Sequence, residues 1–430
     1  MALKKIVLIS QAFALSAMMT FAARGAVIDV PPGGGALIAA YGRAAPGDTL
    51  RLLPGVHRGP LIINKSLTLR GMKGAALIGG GKGSVITVRA PDVVIDSLTL
   101  SGSGSLNQNI DAGVKLIKGA DRAVVENNHF IGNLVGVDIH GAVDARVFNN
   151  TIIGRTDHRM NDRGNGIYVW NAPGAIVEGN VIHYGRDGIF VNTSRQDIFR
   201  NNRMEDLRFA IHYMYTNDSE VSGNISVGNH IGFALMFSSG LVVRRNISLG
   251  DRDHGLMLNF ANSSRIEENI VRDGKNKCLF LYNSNKNILC KNRFEHCKIG
   301  IHFTAGSERN QISENAFISN RTQVKYVGTR DLDWSVKGTG NFWSDHTAVD
   351  INGDGIADQA YRPNDAIDRL LWTQPSAQLL LGSPAVQLVR WAQATFPSLL
   401  PGGIIDTAPL MKPPDLSAVE ALASRGGVGG

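Results

Sequence analysis

Gly166-Ile-Tyr-Val-Trp170, Gly188-Ile-Phe-Val-Asn192, Ala210-Ile-His-Tyr-Met214, Gly232-Phe-Ala-Leu-Met236, Gly255-Leu-Met-Leu-Asn259 and Gly300-Ile-His-Phe-Thr304 are versions of one five-residue pattern. Each is a short run with side chains alternating between two faces, the signature of a strand. Between the runs stands an asparagine followed two residues later by a mostly apolar residue. It recurs at Asn128, Asn150, Asn180, Asn202, Asn224, Asn246, Asn269, Asn292, Asn315 and Asn341, with gaps of 22, 30, 22, 22, 22, 23, 23, 23 and 26 residues. A unit of this length holds short strands and turns and has no room for a ten-residue helix, so it suits one coil of a parallel β-helix. Leucine-rich repeats have similar length, but these asparagines are not embedded in a leucine consensus. Stacked coils place equivalent residues about 4.8 Å apart, so the asparagines are expected to form a hydrogen-bonded ladder that satisfies buried turn backbone.

Outward from this core the strands continue upstream, in Leu50 to Leu53, Leu61 to Ile63, Leu67 to Leu69, Val85 to Val88 and Val93 to Leu100. Gly34 to Tyr41 reads as a helical cap over the open first coil, since solenoid ends need cover. The expected β-helix spans residues 26–345. Residues 346–396 form a separate element with an amphipathic helix from Pro384 onward, and 397–430, rich in Pro, Gly and Ala, read as an extended or disordered tail.

Composition agrees with an all-β solenoid. Glycine is 49 of 430 residues, about 11% against a usual roughly 7%, so the chain contains many tight turns. Lys4 and Lys5 precede an apolar run from Ile6 to Phe21, and Ala23 and Gly25 suit a cleavage site, so residues 1–25 read as a secretory signal peptide; an uncleaved anchor is the alternative. Its removal lowers the formal charge from +7 to +4, because Lys4, Lys5 and Arg24 leave and no acid does. That excess is too small to argue for nucleic acid. Three cysteines allow at most one internal bridge, with Cys278 expected inward, Cys290 outward and Cys297 near a turn.

Alternation assigns the columns. Ile167, Ile189, Ile211, Phe233, Leu256, Cys278 and Ile301, then Val169, Val191, Tyr213, Leu235, Leu258, Phe280 and Phe303, are expected inside. Outside come Tyr168, Phe190, His212, Ala234, Met257, Leu279 and His302, then Trp170, Asn192, Met214, Met236, Asn259, Leu281 and Thr304. An outer strip of aromatic, methionine and histidine residues is unusual for a solvent-facing wall and marks a contact site or a surface buried by another segment. Within it Met214 and Met236 share a column on adjacent coils, with His212 beside them and Met257 further off. Thioether and imidazole donors favour Cu(I) over hard cations, which makes these four residues a candidate copper site. Trp170 and Phe190 are candidate partner contacts. So are His158 and Met160, in the loop that lengthens one gap to 30 residues. The acids Asp138, Asp187, Asp206 and Asp251 read as dispersed turn and surface residues.

Asp350, Asn352, Asp354, Ile356 and Asp358 match the first positions of an EF-hand loop, with Gly355 at its sharp turn, and make a candidate structural Ca²⁺ site; an Asx-rich turn that needs no metal is the alternative. The twelfth position is Tyr361, so the bidentate carboxylate is missing.

Asn161-Asp-Arg-Gly-Asn-Gly-Ile-Tyr-Val-Trp170, Ala210-Ile-His-Tyr-Met-Tyr-Thr-Asn-Asp218, Gly300 to Gly306, Asn341-Phe-Trp-Ser-Asp345 and Ser383-Pro-Ala-Val-Gln387 resemble the NosD family, periplasmic maturation proteins of nitrous oxide reductase. The resemblance implies a right-handed parallel β-helix without enzymatic activity. It also implies work with an ABC transporter membrane subunit and a lipoprotein copper chaperone in assembling the copper centres of nitrous oxide reductase. It does not fix the copper ligands. Two other classes compete. A carbohydrate-active lyase, hydrolase or epimerase needs clustered carboxylates along a polar groove, and an assembly platform needs only surfaces.

Overall fold

A computed structural model of the chain describes residues 25–304, 306–328, 330–380, 382–396 and 403–425. The expected signal peptide lies outside these residues except at its last position, and so do 397–402 and 426–430 of the expected tail. The backbone is a parallel β-helix whose coils contribute to three long sheets. Two of them have 13 strands and one has 12. In one coil the chain runs through Val124–Glu126 in the first sheet, His129–Ile131 in the second and Val135–His140 in the third. Each strand pairs in parallel with its counterparts one coil before and after, as in Ile167 with Ile189, Ile189 with Ile211 and Ile211 with Phe233.

All ten marker asparagines are buried and joined in one ladder. Asn202, for example, donates its backbone N–H to Asn224 Oδ1 at 3.0 Å and its Nδ2 both to that oxygen and to Val177 O. The bend before each is left-handed at most coils, with Gly179 at φ 68° and Gly223 at φ 63° supplying it without a Cβ clash. Inside, one continuous apolar core runs along the solenoid and includes Phe130, Phe199, Tyr213, Phe233, Phe294 and Phe317. Its first coil is closed by α1 (Ala36–Arg43), which buries Leu37 and Ala40. Gly33 and Gly35, both at positive φ, delay the helix to two residues beyond the predicted start.

One coil departs from the predicted phase. Lys277 pairs with His254, Leu279 with Leu256, Phe280 with Met257 and Leu281 with Leu258. Leu279 and Leu281 therefore point inward and Phe280 outward, the reverse of the sequence expectation, because a shift of one residue exchanges the two faces of a strand. Cys278 takes the position that is Gly255 one coil earlier, where an added Cβ would lie 2.2 Å from Val271 Cγ1. Cys278 avoids isolation there by a disulfide to Cys297. Cys290 follows inward Leu289, yet it is shielded, and burial raises its thiol pKa.

The described part of the expected tail is ordered, a correction with a physical reason. Ile404–Ile405 pairs with Leu332–Asp333, and buried Asp406 accepts from Asn341 N at 2.6 Å and Trp343 Nε1 at 2.8 Å, ending the asparagine ladder with a carboxylate. Before it come α2 (Ala366–Thr373), with an Asp365–Asp368 capping box, and α3 (Pro384–Thr395), capped by Ser383. After it, α4 (Ser417–Arg425) lies on the second sheet. Leu416 and Val419 pack against Ile225, Ile247 and Ile270, and Glu420 accepts from Arg272 at 2.7 Å and Arg293 at 2.6 Å. Burial of that apolar row sets this segment's place.

Candidate functional site

The outer wall of the third sheet presents the candidate copper residues selected from the sequence, with Trp170 and Phe190. One column runs in register through Lys115, Asp138, Tyr168, Phe190, His212, Ala234, Met257, Phe280, His302 and Lys325. The neighbouring column runs through His140, Trp170, Asn192, Met214, Met236, Asn259 and Tyr282. Register thus brings Met214 directly beside Met236, with His212 beside Ala234.

Ala234 is the centre of this arrangement. It is fully buried although it points outward, since it clusters with Ile231 and Met257, against which Met236, Phe209 and Phe280 pack. His212 and Met257 flank it in one column, and the small methyl leaves the space between them to longer neighbours. Met257 is therefore part of the same group as Met236. All four sequence-selected residues lie on one patch spanning three coils.

The His212 ring is held from three sides. It stacks on Phe190 at 4.7 Å, meets the edge of Phe209 at 4.7 Å, and places Nδ1 3.2 Å from Asp187 Oδ2. Arg208 grips the same carboxylate through Nε at 2.8 Å and Nη2 at 2.6 Å. Burial pushes the Asp187 pKa up, but the hydrogen bonds from His212 and Arg208 outweigh it and hold the carboxyl below its usual range. Further along, burial and the cations Lys325 and Lys277 push His302 down to about 4, and burial lowers His254, so both imidazoles are neutral at pH 7.

Sequence reasoning missed Asp187, Arg208 and His254. Asp138, Asp187 and Asp251 are fully buried and not surface acids as expected. Their signal lay in the register. Asp187 opens the strand next to the one that follows Arg208, a proximity visible only once coils are aligned. Among the described residues no group of three or more His, Cys, Asp and Glu side chains is arranged to hold a metal ion, so a metal on this wall would depend on the thioethers. The donor set fits a soft monovalent ion for that reason.

The other expected sites stand apart. Trp170 is partly exposed and stacks on His140 at 4.3 Å, whereas Phe190 lies between Tyr168 and His212. His158 and Met160 sit on the inserted loop, where Arg155 bonds Ser105 and Gly132 O, and Arg163 closes on His158 O and Thr156 O. In the 350–358 loop Asp350 accepts from Gly353 N and Gly355 N, Asp354 from Ile356 N and Asp358 from Ile351 N. The carboxylates offered to Ca²⁺ cap the loop's own amides, and the structure gives the calcium reading no support.

Fold and wall together define a parallel β-helix bearing a soft-donor face. The family described as "Periplasmic copper-binding protein (NosD)" matches residues 148–348. The "Probable ABC transporter binding protein NosD" of Stutzerimonas stutzeri is 40% identical over 378 residues, covering 85% of this chain and 87% of that protein. Its namesake from Pseudomonas aeruginosa is 39% identical over 376 residues, covering 84% and 88%. The chain belongs to the NosD family. By shape alone it also resembles DFA-IIIase from Arthrobacter chlorophenolicus A6 without its lid (TM-score 0.55, 15% identity, 72% of this chain and 100% of that one). A PL6 family polysaccharide lyase from Pseudopedobacter saltans is similar to the same degree (TM-score 0.54, 16% identity, 68% and 85%). At such identities the likeness concerns the fold.

Proposed function

We propose that this chain is a periplasmic, non-enzymatic accessory protein for assembling the copper centres of nitrous oxide reductase. In this reading it receives Cu(I) as cargo on the outer wall of the third sheet. It works with an ABC transporter membrane subunit and a lipoprotein copper chaperone. The observation that carries the reading is the convergence of Met214, Met236, Met257 and His212 around Ala234 on three consecutive coils. The family description and the transporter-binding names of the relatives support it. A disulfide suits an oxidising compartment, and among the described residues no helix is long and apolar enough to cross a membrane. Trp170, Phe190, His158 and Met160 are proposed as contacts for the protein that donates or accepts the ion.

Cu(I) titration of the purified protein against Met214→Ala/Met236→Ala tests the reading. A loss of affinity in the double variant is expected, and unchanged affinity discards the site. A platform that binds no metal is favoured by one specific feature, the exposed apolar side chains between α2 and α3 and on α3, where Leu379 is 91% and Trp391 61% exposed. In the platform reading the methionine changes weaken complex formation with the transporter and leave copper binding alone. Release of uronate or unsaturated products from a polysaccharide would restore the enzyme reading.

A further inference from the structure

We infer that Asp187, clamped by Arg208, is a positioning residue that fixes the His212 ring in the Nδ1–H form and leaves Nε2 as its free lone pair. The inference deepens the copper reading and rests on it for its purpose, though not for its geometry. A carboxylate that already receives both arms of a guanidinium is an acceptor only, so the imidazole nitrogen 3.2 Å from Asp187 Oδ2 must be the one that carries the proton. In the neutral ring the second nitrogen is then the unprotonated one, and among the described residues no hydrogen bond engages it.

Orientation is fixed by the same few residues. Phe190 lies against one face of the His212 ring with 26° between planes, and Phe209 meets it at 84°. The Arg208 guanidinium that holds Asp187 also lies 4.5 Å over the Phe209 ring, so one cation fixes both the carboxylate and an aromatic wall. Asp187 is fully buried, which removes water as a competing partner for the imidazole. A histidine that gives one ring N–H to a carboxylate and keeps the other nitrogen bare is a metal ligand prepared before the metal arrives. Asp187 touches no cargo in this scheme; it acts through His212.

The test uses the full mature protein and two readouts. Ring-nitrogen chemical shifts of His212 without metal report which nitrogen holds the proton, and competition titration with Cu(I) reports affinity. The expected results are an Nδ1–H tautomer in the parent protein, mixed tautomers in Asp187→Asn, and about 10–100-fold weaker Cu(I) binding in that variant. Arg208→Lys keeps a cation and the carboxylate, and should move both readouts the same way by less, which guards against misfolding of the first variant. An Nε2–H tautomer in the parent overturns the inference. So does an Asp187→Asn protein that is folded by circular dichroism and unchanged in tautomer and affinity. If the parent binds no Cu(I) yet shows the Nδ1–H form lost in Asp187→Asn, the positioning role stands and the copper reading falls.

Discussion

Asp187 and Asp251 are both fully buried aspartates, 64 residues apart on the same solenoid, and their pKa values are pushed in opposite directions. Asp187 sits on the outer wall, where His212 and Arg208 reach it and its pKa is depressed. Asp251 lies inside, hydrogen-bonded by Ser226, Ser248 and the Asn229 amide, and burial raises its pKa to about 7. Among the described residues Asp251 has hydroxyl and amide partners but no ion pair, so its charge is less well tolerated than that of Asp187 on the wall. The same division separates the asparagine ladder from the methionine columns. The ladder repeats one residue ten times because every coil has the same backbone to satisfy. The outer columns change from coil to coil, because no repeated backbone group has to be satisfied there.

The contrast between interior and wall can be broken most forcefully at Asp251. Its folded pKa lies above the unfolded 3.8, so its favourable contribution is complete below about pH 4 and is lost as pH rises to 7. Stability should therefore fall across that window, by on the order of 4 kcal/mol. Asp251→Asn should remove most of that slope in urea unfolding followed from pH 4 to 8. Asp187, whose pKa is lowered, should contribute with the opposite sign, losing its part as pH drops below about 4.

Next in size is the ladder. Asn224→Ala leaves Asn202 N and Phe199 O without partners, and denaturant unfolding should show a loss of roughly 3 kcal/mol. Met236→Ala, one column on the wall, should cost under about 1.5 kcal/mol because its side chain is only half-buried. Equal losses at the two positions would erase the distinction drawn between the interior and the wall.

Reduction of the Cys278–Cys297 bridge, or its replacement by Cys278→Ala/Cys297→Ala, should lower stability by about 2–3 kcal/mol for a loop of 19 residues. Cu(I) affinity of the double alanine variant should not move, since both positions lie inside. The smallest effect belongs to Glu420→Ala. It releases α4 from Arg272 and Arg293, two partly exposed ion pairs worth about 1 kcal/mol together, and should be read as faster amide exchange in 417–425.

Much of the fold was legible because a solenoid writes its geometry into sequence at a fixed period. Asn128 to Asn341 gave the coils, and the alternation at Ile167 to Trp170 gave the strand phase. The phase failed at Lys277 to Tyr282, where Cys278 replaces the opening glycine and nothing local says whether lysine or cysteine takes that place. The ordered C-terminal stretch was missed because Asp406 joins the ladder from 65 residues beyond Asn341, outside the repeat. The Met214–Met236 column was legible from spacing alone. The Arg208–Asp187–His212 arrangement was not, because side-chain reach across coils is absent from a one-dimensional pattern.

What the amino-acid order alone determined is the coil, its length, its asparagine spine and the sulfur and imidazole groups placed on its exterior, since each follows from backbone periodicity. Only the folded chain decided which of those groups are buried, which carboxylate is ionised and how the last coil is closed. Those outcomes depend on burial and on cations that meet an acid through space, and neither is a property of neighbours in sequence.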